Sequence, residues 1–169
     1  MRGSSQPTAG RLECRSERIS LPLDAPPTRE EWQTAAAIDN PAGYHARKNL
    51  VRLDRGEALP REVRYLVQVW NFGDDLAMVF LAGEVVVDYS LRLKKELDSS
   101  RLSVTAYANS VPCYIPSRRI WQEGGYEGGK AMMYYDLPTR LSEDTENIII
   151  AAVHRLMPQP YKRPRPSLE

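Results

Sequence analysis

The clearest pattern of apolar and polar positions lies in the middle of the chain. Residues 63–72 (VRYLVQVWNF) are rich in β-branched and aromatic side chains, and residues 76–81 (LAMVFL) form a continuous apolar run. Because Gly73-Asp74-Asp75 between them has turn composition, the two segments are predicted to form a β-hairpin. A short run that is apolar throughout is typical of a strand covered on both faces.

After Gly83 the spacing of the apolar positions changes. Large apolar side chains now recur every fourth residue, which predicts an amphipathic helix with Val85, Tyr89, Leu93 and Leu97 on its buried face. Residues 102–108 (LSVTAYA) return to strand composition. The order strand, helix, strand predicts a right-handed crossover, with the second strand parallel to the first.

The N-terminal third predicts one strand and two helices. Residues 19–23 alternate and predict a short edge strand. Thr28 and Glu31 match a capping box that opens a helix. Residues 40–43 (NPAG) are predicted to break that helix, and a more polar helix is predicted for residues 44–53.

The C-terminal third is predicted to be mostly loop until its last helix. One helical turn is predicted at residues 117–122 and a short strand at residues 131–135. The last helix is predicted to begin at Ser142, with acidic residues at its start and with His154 and Arg155 at its end, as the helix dipole favours. The sequence as a whole predicts an α/β fold: a mixed β-sheet with a β-hairpin and a strand-helix-strand crossover, and helices packed on the sheet.

The two ends differ in composition from the rest. Residues 1–17 lack apolar periodicity and are predicted to be a disordered tail. Residues 158–169 (PQPYKRPRPSLE) contain four prolines and are predicted to be a proline-rich basic tail. Residues 18–157 between them are predicted to form a single α/β domain.

Composition and charge exclude several functional classes. The 169 residues carry a formal net charge of +1, which gives no general attraction to nucleic acid or to anionic membranes. No segment is apolar enough for a transmembrane helix. Cys14 and Cys113 are predicted to be free thiols, and His45 and His154 are too few for a histidine-rich metal site.

Glu84 is the first candidate for chemistry. It follows an apolar strand and a glycine, and it is predicted to lie in the first turn of the following helix. The carboxyl ends of strands are where open α/β sheets bind ligands, so a carboxylate there can ligate a metal or act as a base. The same position would also let Glu84 simply complement the helix dipole. Both interpretations stay open.

Tyr114 and Tyr126 are the second candidates. A tyrosine hydroxyl can ligate a hard metal, donate to an oxyanion or anchor a loop. Glycines around Tyr126 give its loop backbone freedom and permit close approach to a ligand: Gly124, Gly125, Gly128 and Gly129. Arg118 and Arg119 can bind an anion or form a solvated pair, and the solvated pair is favoured.

Three segments together resemble a known family: Gly83-Glu84, residues 105–109 (TAYAN) and residues 114–129 (YIPSRRIWQEGGYEGG). They resemble the C-terminal part of the catalytic domain of neutral/alkaline (non-lysosomal) ceramidases, and are most similar to bacterial ceramidase-like proteins. The resemblance covers about residues 18–157. Members of that family are zinc-dependent amidases that hydrolyse the N-acyl bond of ceramide, with two histidines, one glutamate and one tyrosine as zinc ligands.

The resemblance implies a role for each matched residue. Glu84 and Tyr114 correspond to the glutamate and tyrosine zinc ligands. Tyr126 follows Tyr114 by twelve positions and corresponds to the catalytic tyrosine beside the substrate carbonyl. Gly125 and Gly128 are the implied substrate-binding residues.

The resemblance also implies that this chain is incomplete as an enzyme. The family pattern after the ligand tyrosine is typically Val-Thr-Thr, whereas this chain has Ile115-Pro116-Ser117, which bears on the lipid substrate more than on the metal. The family's histidine ligands and catalytic serine lie upstream of the matched region. The expected partner is therefore the missing N-terminal half of the catalytic domain, with zinc and a lipid amide substrate bound only by the complete protein. The alternative is a non-catalytic binding or structural module on the same scaffold.

Overall fold

A computed structural model of the chain describes residues 10–162. Its centre is a four-stranded sheet with the strand order β1-β2-β3-β5. The strands are β1 (Leu12–Pro22), β2 (Glu62–Phe72), β3 (Leu76–Leu81) and β5 (Leu102–Thr105). A second, two-stranded sheet pairs β4 (Glu84–Val85) with β6 (Tyr114–Ile115).

The predicted hairpin and the parallel pairing of the two crossover strands are both confirmed, and the right-handed sense of the crossover stays a prediction. Strands β2 and β3 pair antiparallel around the turn at residues 73–75, with Val69 opposite Val79. Helix α3 (Asp88–Glu96) then leads to β5, which pairs parallel with β3. Antiparallel β1 and β2 together with parallel β3 and β5 make the sheet mixed, so the fold is α/β as predicted.

The remaining helices are α1 (Arg29–Ala36), α2 (Pro41–Asp54), α4 (Arg118–Glu123) and α5 (Thr145–Leu156). The predicted capping box at Thr28 and Glu31 is present. Helix α2 begins three residues earlier than predicted, because Asn40 caps it and Pro41 occupies its first position, where a proline needs no hydrogen-bond donor. Helix α5 begins later than predicted, since Ser142 instead donates its N–H to the carbonyl oxygen of Pro22.

Both predicted tails are partly folded. Strand β1 begins at Leu12 and pairs with β2 over eleven residues, so the prediction of disorder is wrong for residues 12–17. The strand is stabilised by backbone hydrogen bonds to β2, which the polar composition of residues 12–17 does not predict. At the other end, residues 159–161 form a 3₁₀ turn in which Tyr161 is buried. Residues 1–9 and 163–169 lie outside the described part of the chain.

The predicted strand at residues 131–135 is wrong. Residues Lys130–Tyr135 form a 3₁₀ helix in which Ala131 and Met132 are buried. Its backbone is held within its own loop, with the N–H of Ala131 donating to the carbonyl oxygen of Tyr126 at 2.9 Å. A tight helical turn buries the apolar side chains here. A short apolar run in the sequence does not show whether the segment will form such a turn or a strand.

One face of the four-stranded sheet carries the core. Alternate residues of β2 and β3 point into it, among them Val67, Val69, Val79 and Leu81, and all four are fully buried. Helices α3 and α5 cover this face through Leu93, Ile149 and Val153. Burial of these three side chains packs α3 and α5 against β2 and β3, and β3 ends near Glu84.

The other face, called here the open face, carries a second set of large apolar side chains: Leu12, Leu66, Trp70, Phe72, Leu76, Met78 and Phe80. They alternate with the core positions along the same strands. None of them belongs to the core or packs against it, and each is partly or largely exposed. Helices α1 and α2 pack against each other instead, with the rings of Trp32 and His45 5.5 Å apart. Within residues 10–162 no helix covers the open face.

Candidate functional site

Glu84 lies in a short strand and not in a helix, which corrects the sequence interpretation. It is the first residue of β4, which pairs parallel with β6, and its register partner is Tyr114. Helix α3 begins four residues later, at Asp88. The dipole of that helix therefore does not account for Glu84, and the site has to be understood from the β4–β6 pair.

Backbone hydrogen bonds fix Glu84 from two directions. Its N–H donates to the carbonyl oxygen of Cys113 at 3.1 Å. The preceding residue, Gly83, accepts from the N–H of Tyr107 at 3.0 Å and donates to the carbonyl oxygen of Ser110 at 2.8 Å. Gly83 has φ +80°, a conformation that favours glycine. These backbone hydrogen bonds hold residues 83–84 against Tyr107, Ser110 and Cys113, and so fix the position of the Glu84 carboxylate.

The Glu84 carboxylate interacts with two tyrosine hydroxyls. Its hydrogen bond with Tyr107, followed by burial and by its negative charge, raises the pKa of Tyr107 to about 12. A second hydrogen bond, between Tyr114 and Glu84, together with burial and the Glu84 charge, raises the pKa of Tyr114 well above its usual range. Both phenols therefore stay protonated at neutral pH and act as donors to Glu84.

Tyr126 joins this cluster through its ring. The ring centroids of Tyr114 and Tyr126 are 5.4 Å apart and nearly perpendicular, and those of Tyr114 and Tyr135 are 6.1 Å apart. Tyr134 lies beside Tyr126 at 6.2 Å. Edge-to-face contacts of this kind stabilise one arrangement of the rings. The three residues predicted from the sequence, Glu84, Tyr114 and Tyr126, therefore converge on one open region, since 53% of Tyr126 is exposed.

The 3₁₀ helix that carries Tyr134 and Tyr135 is anchored to α2. Asp136, which ends this helix, has a left-handed backbone with φ +60°. Its carboxylate accepts from both Arg52 and Lys48 on α2. Burial alone would raise the pKa of Asp136, but hydrogen bonds from Arg52 and Lys48 lower it overall. This ion-pair network positions the outer tyrosines of the cluster.

A cavity of about 320 Å³ opens beside Glu84 and is lined by Tyr107, Tyr114, Arg119 and Glu127 among others. Arg119 is not free to bind an anion there, because its guanidinium pairs with Asp88 at 3.0 Å and with Glu123 at 2.8 Å. Arg118 pairs with Glu143. The arginine pair therefore holds α4 in place through ion pairs.

Gly125 and Gly128 do not line the Glu84 cavity. They line a separate cavity of about 380 Å³ with Lys130 and Arg140. Gly125 has φ +72° with open space around it, whereas a Cβ atom on Gly128 would lie 2.3 Å from the carbonyl oxygen of Gly124. Gly128 thus has a packing reason to be glycine. The substrate-binding role of both residues stays a prediction.

No histidine or cysteine side chain of the described region lines the Glu84 cavity, although the backbone carbonyl of Cys113 accepts from the N–H of Glu84. His45 is buried in α2, where Asn49 lies 3.1 Å from its Nε2 atom, and burial lowers its pKa. His154 pairs with Glu96 at 2.6 Å. Cys14 and Cys113 are free thiols, as predicted, and burial raises the pKa of Cys113 to about 12. Each histidine is thus engaged by a neighbour in a structural role.

The residues present fit one half of a zinc site. Glu84 and Tyr114 offer two oxygen donors on adjacent strands, but the protonated phenol of Tyr114 would have to lose its proton to bind a metal. Structural and catalytic zinc sites use at least three protein ligands. Within residues 10–162 no group of three or more His, Cys, Asp or Glu side chains could hold a metal ion. A zinc ion held by Glu84 and Tyr114 would therefore need at least one further protein ligand.

Tyr107 is the site residue that the sequence interpretation missed. It lies just after β5, is 56% exposed and has the unusual backbone angle φ +56°. Non-glycine residues in this conformation cost energy and cluster at functional sites. The sequence signal was present, because a tyrosine at the end of a parallel strand next to β3 lies at the same edge as Glu84.

Comparisons with known proteins found no relative. No protein-family model matches the chain, and neither a curated protein nor a solved structure matches it. Among residues 10–162, no helix is both long and apolar enough to span a membrane.

Proposed function

We propose that the chain is the C-terminal part of a ceramidase-like zinc-dependent amidohydrolase, which cleaves the N-acyl bond of ceramide or a related lipid amide. The observation that carries the proposal is the convergence of Glu84, Tyr114 and Tyr126. The first two are register partners, and the rings of the two tyrosines are in contact. The family resemblance named Glu84 from one motif and both tyrosines from a second motif, residues 114–129.

Each residue has a distinct part in the proposed reaction. Glu84 and Tyr114 would hold the metal, with Tyr107 keeping the Glu84 carboxylate oriented through its hydroxyl. When bound, zinc supplies a Lewis acid that polarises the amide carbonyl. The Tyr126 hydroxyl would donate a hydrogen bond to the oxyanion that develops on that carbonyl.

The chain alone is expected to be inactive. Its two histidines are engaged in α2 and α5, so the imidazole ligands and the serine nucleophile would come from the missing N-terminal half. The alternative of a non-catalytic module predicts a closed, polar surface. The open face, with seven large apolar side chains, favours the incomplete domain over that alternative.

The test is an amidase assay on the complete, zinc-loaded protein with N-acyl amides. Glu84→Gln and Tyr114→Phe are expected to lower the bound zinc. Tyr126→Phe is expected to keep the zinc and to lower kcat by roughly 10²–10³-fold, as loss of an oxyanion donor does. Tyr134→Phe, an exposed neighbour in the same cluster, is the matched control and should leave kcat unchanged. An unchanged kcat for Tyr126→Phe would contradict the proposed role.

A further inference from the structure

We infer that a cavity beside helix α2, called here the α2 cavity, binds a small anion that carries a flat aromatic ring, such as an aryl phosphate or an aryl carboxylate. The cavity has a volume of about 580 Å³. Its main walls are α2 and the 3₁₀ helix at residues 130–135, through Tyr44, His45, Arg47, Lys48, Met133 and Tyr134. None of the described residues that line it also lines the Glu84 cavity, so this site is independent of the proposed function.

The α2 cavity has the size and the fixed walls of a small-molecule site. Cavities that bind small ligands have volumes of roughly 300–1,000 Å³ and are largely formed before the ligand binds. The two walls are joined by ion pairs, because Asp136 at the end of the 3₁₀ helix accepts from Lys48 and Arg52 on α2. His45 is buried, and its Nε2 atom lies 3.1 Å from the side-chain nitrogen of Asn49. Contacts within the folded chain therefore fix the walls without a ligand.

Exposed aromatic rings favour a ligand with a ring of its own. Tyr44 is 65% exposed and Tyr134 is 61% exposed, although both line the cavity. Contacts between aromatic rings stabilise a complex beyond the burial of their surface alone. The guanidinium of Arg47 also stacks on planar groups, and the flexible, half-buried Met133 adapts to the outline of a ligand. A flat ring therefore gains more in this cavity than an aliphatic group of the same size.

The hydrogen-bond donors in the cavity favour an anion. Lys48 donates to Asp136 at 2.8 Å, and its ammonium group retains two further donors. The Nη1 atom of Arg47 donates to the carbonyl oxygen of Ala36 at 2.7 Å, which holds the guanidinium in place. Its Nη2 atom forms no hydrogen bond within residues 10–162 and lies 3.9 Å from Asp39. Both cations thus have donors left for a phosphate or carboxylate group.

The two carboxylates that line the cavity do not favour a cation. Asp136 already accepts from Lys48 and Arg52, so two cations balance its single charge. Asp39 is fully exposed, and its long ion pair with Arg47 contributes little, so an incoming anion can replace it at small cost. An anionic group accepts from the arginine fork and from the lysine as charge-assisted hydrogen bonds. The sign of the ligand is therefore negative.

The test is a titration of the 169-residue chain with phenyl phosphate, followed by nuclear magnetic resonance of tyrosine rings and methionine methyl groups. We expect a Kd on the order of 1 mM, as for other ligands of this size, and shifted signals of Tyr44, Tyr134 and Met133. Inorganic phosphate lacks the ring, benzyl alcohol lacks the charge, and benzylamine carries the opposite charge. Each of these three probes should bind on the order of tenfold more weakly.

Two variants of exposed residues locate the site. Arg47→Gln and Tyr44→Ala should each weaken the binding of phenyl phosphate on the order of tenfold. Arg55→Gln is the matched control for the arginine, because Arg55 follows the same helix, pairs with Glu57 at 3.8 Å and does not line the α2 cavity. Leu91→Ala is the control for the tyrosine, because Leu91 is 63% exposed on α3. Circular dichroism of each variant verifies its fold.

Four results would overturn the inference. They are the absence of saturable binding of phenyl phosphate, a comparison probe that binds as tightly as phenyl phosphate, an unchanged affinity in Arg47→Gln or Tyr44→Ala, and an equal loss of affinity in Arg55→Gln. None of these measurements involves zinc or amidase activity, so the α2 site and the proposed function can fail separately.

Discussion

A Cβ atom added to Gly83 would lie 2.7 Å from the carbonyl oxygen of Cys113. The close approach lets β4 lie against the segment that leads into β6, where the N–H of Glu84 donates to that same oxygen. The pairing of Glu84 with Tyr114 therefore depends on the absence of a side chain at position 83.

Gly83→Ala is expected to destabilise the protein and to disturb the site. The alanine would be strained by the positive φ and would clash with the Cys113 carbonyl oxygen. Because that oxygen belongs to the backbone, it cannot move aside as a flexible side chain could. We expect a loss of roughly 1–3 kcal/mol in the free energy of unfolding beyond that of a control, measured by urea denaturation. The control is Gly56→Ala, which has φ +70° but open space around it. Equal losses for the two variants would contradict the close-approach argument.

The titration of Tyr107 tests its hydrogen bond to Glu84. Glu84→Gln removes the negative charge, so the pKa of Tyr107 should fall from about 12 toward its ordinary value of about 10. Nuclear magnetic resonance of labelled tyrosine rings gives the pKa of each residue. Glu96→Gln, a carboxylate that pairs with His154 instead, is the control and should leave Tyr107 unchanged.

The sign of the linked stability follows from the same shift. Since the folded state holds the Tyr107 proton more tightly than the unfolded state, this contribution to stability is complete below about pH 10. It is lost as the pH rises through about 12. A Tyr107 pKa that does not move in Glu84→Gln would show that the two groups are not hydrogen-bonded.

Asp136 should make the stability of the protein sensitive to acid. Hydrogen bonds from Arg52 and Lys48 lower its pKa, so its contribution is present above about pH 4 and is lost as the pH falls through the lowered value. Asp136→Asn keeps a side chain that tolerates the left-handed backbone but removes the charge. We expect a loss of about 1 kcal/mol at pH 7 and a smaller loss below pH 4, measured by thermal unfolding.

The comparison for Asp136→Asn is Asp39→Asn. Asp39 also faces α2, but it is fully exposed and lies 3.9 Å from Arg47, so its removal should leave stability nearly unchanged. The same loss at pH 7 and at pH 3 in Asp136→Asn would contradict an ionic origin.

The segment after α5 is expected to contribute to the stability of the fold. Tyr161 is buried, and its hydroxyl donates to the carbonyl oxygen of Gly73 at 2.7 Å. Tyr161→Phe keeps the ring under the Arg101 guanidinium but leaves that oxygen with only the longer bond from Asn71 Nδ2 at 3.4 Å, so it should cost about 1 kcal/mol in unfolding experiments. Tyr134→Phe, which is exposed, should cost nothing measurable. A neutral Tyr161→Phe would mean that the 3₁₀ turn is not held by this bond.

The elements with strong local signals were predictable from the sequence. The β2–β3 hairpin, the capped helix α1 and the crossover through α3 all follow from periodicity, turn composition and a capping box. The errors arose where long-range contacts decide the structure. Residues 12–17 form a strand because they pair with β2. Glu84 was predicted in a helix but lies in a strand, because it pairs with β6.

The candidate site was predictable in its members but not in its geometry. Sequence motifs named Glu84, Tyr114 and Tyr126, yet no local pattern shows that Tyr107 turns back to Glu84 through a left-handed backbone. The open face is also invisible locally, because an apolar strand has the same sequence whether a layer covers it or not.

Zinc binding tests the central claim most directly. The proposed function holds that Glu84 and Tyr114 form half of a zinc site, which the missing N-terminal half of the catalytic domain would complete. The measurement is a zinc titration against a chromophoric chelator, made on the 169-residue chain alone, on the complete protein, and on the complete protein carrying Glu84→Ala. We expect one sub-micromolar zinc in the complete wild-type protein and none in the 169-residue chain alone or in the complete variant. A sub-micromolar site in the 169-residue chain alone, or one in the complete protein that survives Glu84→Ala, would contradict the account.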